Sequence, residues 1–176
     1  GAVGTRLRAG QACGGCGGEE LEDPTTGLAG MAAVARQTHI PLSSNRVITD
    51  FDTLAEAVEL RAAQVVLCDH HYWGGFSGCK RLAAVCETFR LGLSMHSNNH
   101  LGISMAAMTH LAATTPLLIY ACDTHYPWQT EDVIKGGKLQ CQAGCLTPPS
   151  GPGHGGDIDR ERLPILSILL NNFAMA

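Results

Sequence analysis

The chain has 176 residues, a length that suits one domain, and 45% of them are hydrophobic while 16% are charged. A formal net charge of −4 and an aromatic content of 5% argue against a nucleic-acid-binding protein, which needs a basic surface and stacking rings. No apolar run reaches the roughly 18 residues of a membrane-spanning helix, and residues 1–18 lack the apolar core of a signal peptide. We therefore expect a cytoplasmic protein with a sizeable core and no membrane partner.

Composition divides the chain into three segments. Residues 1–18 form a Gly-rich stretch of low complexity, to which we assign no structure. Residues 19–140 alternate short apolar runs with segments of helical period, which is typical of βα units on a parallel sheet. Residues 141–176 form a divergent C-terminal segment.

Within residues 19–140, four segments have the apolar spacing of helices. They are Leu28–Gln37, Thr53–Ala62, a segment holding Leu82, Val85, Cys86 and Phe89, and a segment holding Leu101, Met105, Met108 and Ala112. The predicted N-cap of the second helix is Asp52 or Thr53. The strands predicted between and after these helices are Pro41–Val47, Gln64–Asp69, Leu91–His96 and Leu117–Asp123.

A polar residue closes each apolar run, at intervals of 23, 24, 27 and 27 residues, and these residues are Glu22, Asn45, Asp69, His96 and Asp123. A strand, a helix and two loops need about that length. In a (β/α) barrel, the active site is formed by polar residues at the C-terminal ends of successive strands. Because a full barrel takes about 250 residues, the sequence predicts an α/β fold that is roughly half of a TIM-type barrel.

Two of these residues, Asp69 and His96, carry the most specific chemical signal. A histidine between an apolar strand and a polar loop is well placed to transfer a proton. A carboxylate on the neighbouring strand would fix the histidine tautomer and raise its basicity. Glu22 and Asn45 offer oxygen atoms of the kind that Mg²⁺ accepts, although each is also typical of an ordinary turn.

Two adjacent histidines, His70 and His71, follow the third apolar run and suggest a transition-metal site. Neighbouring residues of a strand point to opposite faces, so at most one of these imidazoles would face a shared site. We therefore regard zinc at this pair as the weaker interpretation.

The eight cysteines invite a disulfide or zinc interpretation, but the chain is longer than small stapled scaffolds. Cys13 and Cys16 form a Cys-x-x-Cys pair that would need a second pair of ligands, for which Cys141 and Cys145 are the available residues. The remaining cysteines lie among apolar residues and are interpreted as small core side chains; they are Cys68, Cys79, Cys86 and Cys122.

Taken together, the strand-end segments resemble the barrel of the glucarate dehydratase family, in the mandelate racemase branch of the enolase superfamily. The segments that carry the resemblance are Glu22-Asp-Pro, Pro41-Leu-Ser-Ser-Asn45, Asp69-His-His-Tyr-Trp73, His96-Ser-Asn-Asn-His100 and Asp123-Thr-His125. The likeness covers about Leu21 to Leu139, which would be the C-terminal portion of such a barrel. Its specific part is the His-Ser-Asn-Asn-His string together with the ordered spacing.

This resemblance implies a sugar-acid dehydratase, a carbon–oxygen hydro-lyase that acts on an aldarate with Mg²⁺ as its cofactor. Glu22 and Asn45 would be the second and third metal ligands. His96 would take the proton alpha to the substrate carboxylate, Asp69 would orient and support it, and the β hydroxyl would then leave as water. The implied substrate contacts are Ser97, Asn98, Asp123 and His125.

The same resemblance implies parts that are not found in these residues: an N-terminal lid domain, a strand with a Lys-x-Lys motif, and a metal-ligand Asp on the strand before Glu22. Two other interpretations therefore stay open. One is a non-catalytic remnant of the family, and the other is a racemase of 2-hydroxy acids, which shares proton abstraction but not loss of water. Half a barrel would leave two open sheet edges, so the chain would need a partner, for instance as a homo-oligomer, or would aggregate.

Overall fold

The structure is a computed structural model, and it describes residues 17–97 and 99–164. These residues group into two compact units, which we call unit 1 and unit 2. None of the helices in the described part of the chain is both long and apolar enough to cross a bilayer. The division by composition at residues 18 and 140 stays a prediction.

Unit 1, residues 17–96 and 115–122, is a parallel sheet whose strands are joined by helices. Its elements in chain order are β1 (Leu21–Glu22), α1 (Leu28–Ala35), β2 (Leu42–Ser44), α2 (Phe51–Leu60), β3 (Val65–Cys68), α3 (Gly75–Phe89) and β4 (Gly92–Ser97), the last residue of which belongs to unit 2. Each of these strands pairs in parallel with the next along the chain. The predicted alternation of strands and helices is confirmed here.

The central strands of unit 1 are buried along their length, as expected for a parallel sheet with covered faces. All residues of β2 and β3 are buried, and β3 pairs with β4 from Val65 opposite Gly92 to Cys68 opposite Met95. Beyond β4, Leu93 forms a parallel bridge with Leu118. This sheet brings the carboxyl ends of four consecutive strands to one edge.

The predicted strand over Leu117–Asp123 is wrong for most of its length. Within unit 1 it is reduced to the bridge at Leu118. The physical reason is a turn: the Leu118 N–H donates to the Thr115 carbonyl at 3.2 Å, so the chain is still reversing direction where a regular strand was predicted.

The start of α2 differs from the prediction by two or three residues, because Asp50 is the N-cap. Its carboxylate accepts a hydrogen bond from the Thr53 N–H at 2.7 Å, and the Thr53 hydroxyl accepts one from the Asp50 N–H at 3.2 Å. This reciprocal capping box satisfies two amide donors at the helix start. The hydrogen bonds from the backbone and side chain of Thr53 hold the pKa of Asp50 below its usual range.

The apolar stripe predicted on the third helix is confirmed in part. Leu82 and Cys86 on α3 are fully buried, whereas Phe89 is 54% exposed. Phe89 is the last residue of α3, and the chain turns at Arg90 with a left-handed φ of 56° to enter β4. The final turn of the helix therefore leaves the Phe89 ring in solvent.

Unit 2 consists of residue 97, residues 99–114 and residues 123–164. Its regular elements are α4 (Gly102–Ala113), β5 (Asp123–Thr124) and a short 3-10 helix, Tyr126–Trp128. Met105 and Met108 of α4 are buried, as their spacing predicted. Farther along, Ile134 and Ile158 form an antiparallel bridge.

Of the four cysteines predicted to be small core side chains, the three in β3 and α3 occupy that role, whereas Cys122 is half-buried. Cys68, Cys79 and Cys86 are at most 2% exposed, and the described cysteines carry free thiols. Burial raises the pKa of Cys86 to about 12. Cys145 is exposed instead. The suggested zinc site with Cys13 and Cys16 falls outside the described residues.

This contrast predicts selective alkylation. In native protein at about pH 8, iodoacetamide should modify Cys145 and leave Cys86 unmodified, because the thiolate is the reactive form and Cys86 keeps its proton well above that pH. Peptide mapping by mass spectrometry measures both sites in one sample. In concentrated urea the two should react at similar rates, and native labelling of Cys86 as fast as Cys145 would contradict its placement.

Candidate active site

Four polar residues stand at the carboxyl ends of the four strands of unit 1. Glu22 is the last residue of β1, Asn45 directly follows β2, Asp69 directly follows β3, and His96 is the penultimate residue of β4. Because the strands are parallel and paired in sequence order, these ends share one edge of the sheet. The side chains expected to form the site are therefore brought to one place by the register of the sheet.

Asp69 and His96 lie side by side in the interior, with 2% and 3% exposure. Asp69 Oδ2 is 3.6 Å from His96 Nδ1, an ion-pair distance slightly longer than a hydrogen bond. The other oxygen, Oδ1, accepts a hydrogen bond from the His71 N–H at 2.9 Å. One oxygen is thus held by the backbone of the following turn, and the second is aimed at the imidazole.

Asn45, which directly follows β2, also lies against this imidazole. Its amide nitrogen is 2.9 Å from His96 Nδ1 and 2.6 Å from Nε2. The lone pairs of the two ring nitrogens diverge in the ring plane, so a single amide nitrogen cannot satisfy both with good geometry. The amide oxygen Oδ1 is buried and has no hydrogen-bond partner among the described residues.

Glu22 completes the group around His96. A carboxylate oxygen of Glu22 and a ring nitrogen of His96 lie within 4.8 Å of one another, although Glu22 itself is exposed. All three of the other strand-end side chains of unit 1 thus come close to one buried imidazole. An acid, an amide and a second acid around a histidine form a set that can move a proton and hold a hard cation.

The donor set can be tested for its fit to Mg²⁺, which the resemblance implies. Mg²⁺ is bound through one or two carboxylates and retains several waters, so it needs few protein oxygens. The exposed Glu22 carboxylate and the buried Asn45 Oδ1, which lacks a protein donor in the described residues, are two such oxygens at neighbouring strand ends. These residues fit the ion.

A serine that the sequence analysis did not single out fixes the ends of β1 and β2 to one another. Ser44 Oγ donates to Asp23 Oδ1 at 2.5 Å and accepts hydrogen bonds from the N–H groups of Arg46 and Val47 at 3.1 and 3.0 Å. Asp23 has a left-handed φ of 38°, which turns the chain directly after Glu22. Ser44 therefore holds the segments next to Glu22 and Asn45, and a cavity of about 380 Å³ lies beside them, lined by Asp23, Pro24, Thr25, Thr26, Arg46 and Val47.

His70 and His71 do not lie in a strand, so the argument that their side chains point to opposite faces is wrong. These residues follow β3 in a turn, and their rings lie close together with centroids 4.4 Å apart and planes tilted by 33°. The turn forms because Asp69 accepts the His71 N–H with its side chain and the Tyr72 N–H with its carbonyl. Zinc at this pair stays the weaker interpretation.

The described residues among those expected to contact substrate belong to unit 2. Ser97 is 1% exposed and donates to Thr124 Oγ1 at 2.7 Å. Asp123 and His125 are exposed on either side of Thr124, and Asn98 lies outside the described residues. Their contacts with substrate stay predictions.

The chain as a whole is similar to known proteins. The sequence family described as Enolase C-terminal domain-like matches residues 2–162. The probable glucarate dehydratase of Streptomyces coelicolor is 54% identical over 148 residues, which are 84% of this chain and 34% of that protein. The chain therefore spans about a third of the length of this relative.

Solved structures give the same likeness. An enolase from Mycobacterium smegmatis, complexed with formate and acetate, matches with a TM-score of 0.89 and 50% identity, over 96% of this chain and 39% of that one. An enolase from Pseudomonas fluorescens with bound magnesium, potassium and tartrate matches with a TM-score of 0.89 and 48% identity, over 96% of this chain and 40% of that one.

Proposed function

The chain belongs to the Enolase C-terminal domain-like family and carries part of its (β/α) barrel, and from this premise we propose that it is the C-terminal portion of a sugar-acid dehydratase. The reaction would remove the proton alpha to the carboxylate of an aldarate and expel the β hydroxyl as water. The observation that carries the proposal is the meeting of Glu22, Asn45 and Asp69 around His96. The identity with a probable glucarate dehydratase supports the choice of substrate class.

His96 has the role of base and then of acid in this proposal. The imidazole takes the proton from the alpha carbon, and the electron pair of that C–H bond moves toward the carboxylate. As the bond from the β carbon to its hydroxyl breaks, His96 returns the proton to the leaving oxygen, which departs as water. The resulting enol becomes a keto-deoxy acid.

Asp69 supports this transfer by orientation and charge. The His71 N–H holds one carboxylate oxygen, so the second stays directed at Nδ1. A fixed carboxylate 3.6 Å from Nδ1 stabilises the positive charge that the imidazole gains when it accepts a proton. Both residues are buried, which strengthens this attraction relative to the same pair in water.

Glu22 and Asn45 are the residues that would hold Mg²⁺. When bound, the ion supplies positive charge that stabilises the negative charge developing on the substrate carboxylate. Asn45 would contribute Oδ1, its buried atom without a protein donor in the described chain. Because the Asn45 amide nitrogen lies 2.6 Å from Nε2, proton transfer at Nε2 also requires this amide to turn aside.

Replacement of the base tests the reaction. We expect His96→Asn to lower keto-acid formation from sugar diacids in the presence of Mg²⁺ by about 10²- to 10⁴-fold, the usual contribution of a general base. His39→Asn, an exposed histidine of the same unit, is the matched control and should behave as the parent chain.

The outcomes of this assay separate the interpretations. If His96→Asn retains the turnover of the parent chain, the assignment of the base is wrong. If the parent chain inverts or exchanges the alpha position without forming keto acid, the chain is a racemase. If it does neither, the chain alone is a non-catalytic part of the family.

The metal assignment is tested separately by binding. Asn45→Ala should weaken Mn²⁺ binding, used as a probe for the Mg²⁺ site, by about tenfold or more, because one of two protein oxygens is lost. Asn45→Asp keeps an oxygen at the same place and should bind at least as tightly as the parent. Water-proton relaxation during titration measures the affinity, and equal affinities for Asn45→Ala and the parent would contradict the assignment.

A further inference from the structure

A buried carboxylate in unit 2, Asp132, accepts hydrogen bonds from two other segments of that unit and from the residue that follows it. It is 1% exposed. Oδ1 accepts hydrogen bonds from the Gly102 N–H at 2.8 Å and the Val133 N–H at 2.6 Å, and Oδ2 accepts a short one from the Tyr126 hydroxyl. A buried charge persists only where such donors replace its lost water.

The bond to Gly102 supplies a helix cap from a distant part of the chain. Gly102 is the first residue of α4, and the N-cap residue Leu101 provides no side-chain acceptor. Asp132 lies 30 residues farther on and satisfies one of the amide donors that a helix start leaves open. A Cβ on Gly102 would lie 2.5 Å from Asp132 Oδ2 and 2.2 Å from Ile134 Cδ1, so glycine is needed for this approach.

The bond to Tyr126 extends the network to β5. Tyr126 is 1% exposed, its hydroxyl accepts a hydrogen bond from the Leu139 N–H at 2.9 Å, and Lys138 Nζ lies 5.2 Å from its ring centroid. Burial and the neighbouring Asp132 raise the pKa of Tyr126 above its usual value, so the hydroxyl keeps the proton that it donates.

The network closes at Thr124. The Tyr126 N–H donates to Thr124 Oγ1 at 3.1 Å, and the Ser97 hydroxyl donates to the same oxygen at 2.7 Å. The network thus runs from Ser97 to Thr124, on to Tyr126, then to Asp132 and finally to Gly102. It therefore links the two ends of residues 97–102.

We propose that Asp132 is a positioning residue for substrate binding, because it fixes the two segments of unit 2 that carry the expected substrate contacts. This inference rests on the proposed function. Ser97 begins residues 97–102, which the network holds at both ends, and Asp123 and His125 flank Thr124. Asp132 touches none of the reacting atoms and acts through these segments.

Local amide exchange tests the positioning. Asp132→Ala should speed hydrogen exchange at residues 97–104 and 124–126 by about tenfold or more, as the loss of a hydrogen bond to a charged group implies. Asp132→Asn keeps an acceptor for Gly102 and should cause a smaller change. Asp157→Ala, an exposed acid of the same unit, should cause none.

Milder variants keep the test decisive if Asp132→Ala fails to fold. Tyr126→Phe removes one donor to Asp132, and Gly102→Ala displaces the carboxylate, so both should loosen the same residues. Tyr120→Phe loses a hydroxyl for which no hydrogen bond is found in the described chain, and serves as the matched control. Exchange that rises uniformly over unit 2, or not at all, would overturn the proposal.

Binding separates this inference from the proposed function. Titration with tartrate in the presence of Mg²⁺ should show that Asp132→Ala binds tartrate more weakly than the parent chain. If the parent chain turns over a sugar diacid, the KM of Asp132→Ala should rise more than its kcat falls. A merely structural role would instead lower the fraction of active protein and leave KM unchanged. Tartrate binding that Asp132→Ala leaves unchanged would overturn the positioning role. If the parent chain neither binds tartrate nor turns over diacids, the proposed function fails, while the exchange pattern still decides whether Asp132 orders these segments.

Discussion

The meeting of three polar side chains at one buried histidine is the feature on which the proposed active site depends. His96 can be buried at 3% exposure because Asp69 faces one ring nitrogen and Asn45 lies against the ring. Parallel pairing of consecutive strands places all of these strand ends on one edge of the sheet. The register of the sheet therefore determines which side chains meet at the proposed site. A slip of one residue in any strand would turn its end residue to the opposite face.

Hydrogen bonds from neighbouring loops keep the strand ends in place. The His71 N–H holds Asp69, and Ser44 joins the ends of β1 and β2. Within unit 2, Asp132 holds the start of a helix, α4, in the same way. Each uses a short side chain to satisfy backbone amides that a turn or helix start leaves open. Such contacts use few residues, and functional sites in general need them to hold side chains in a productive orientation.

The sequence predicted the alternation of strands and helices well because apolar spacing reports burial directly. It also predicted that a polar residue ends each strand of unit 1. It failed where a local hydrogen bond competes with spacing: Asp50 caps α2 in place of Asp52, and Leu118 is bonded within a turn. Asp132 was not predicted, because its partner Gly102 lies 30 residues away and no spacing rule connects them.

The most direct measurement of the central claim is the position of a metal ion relative to these strand ends. Crystals of the chain grown with Mn²⁺ in place of Mg²⁺ would reveal the ion by its anomalous scattering. The account predicts one peak at ligand distance from both Asn45 Oδ1 and a Glu22 carboxylate oxygen, with His96 and Asp69 beside it. A peak elsewhere on the chain, with Asn45 Oδ1 bonded to a protein donor instead, would contradict the account.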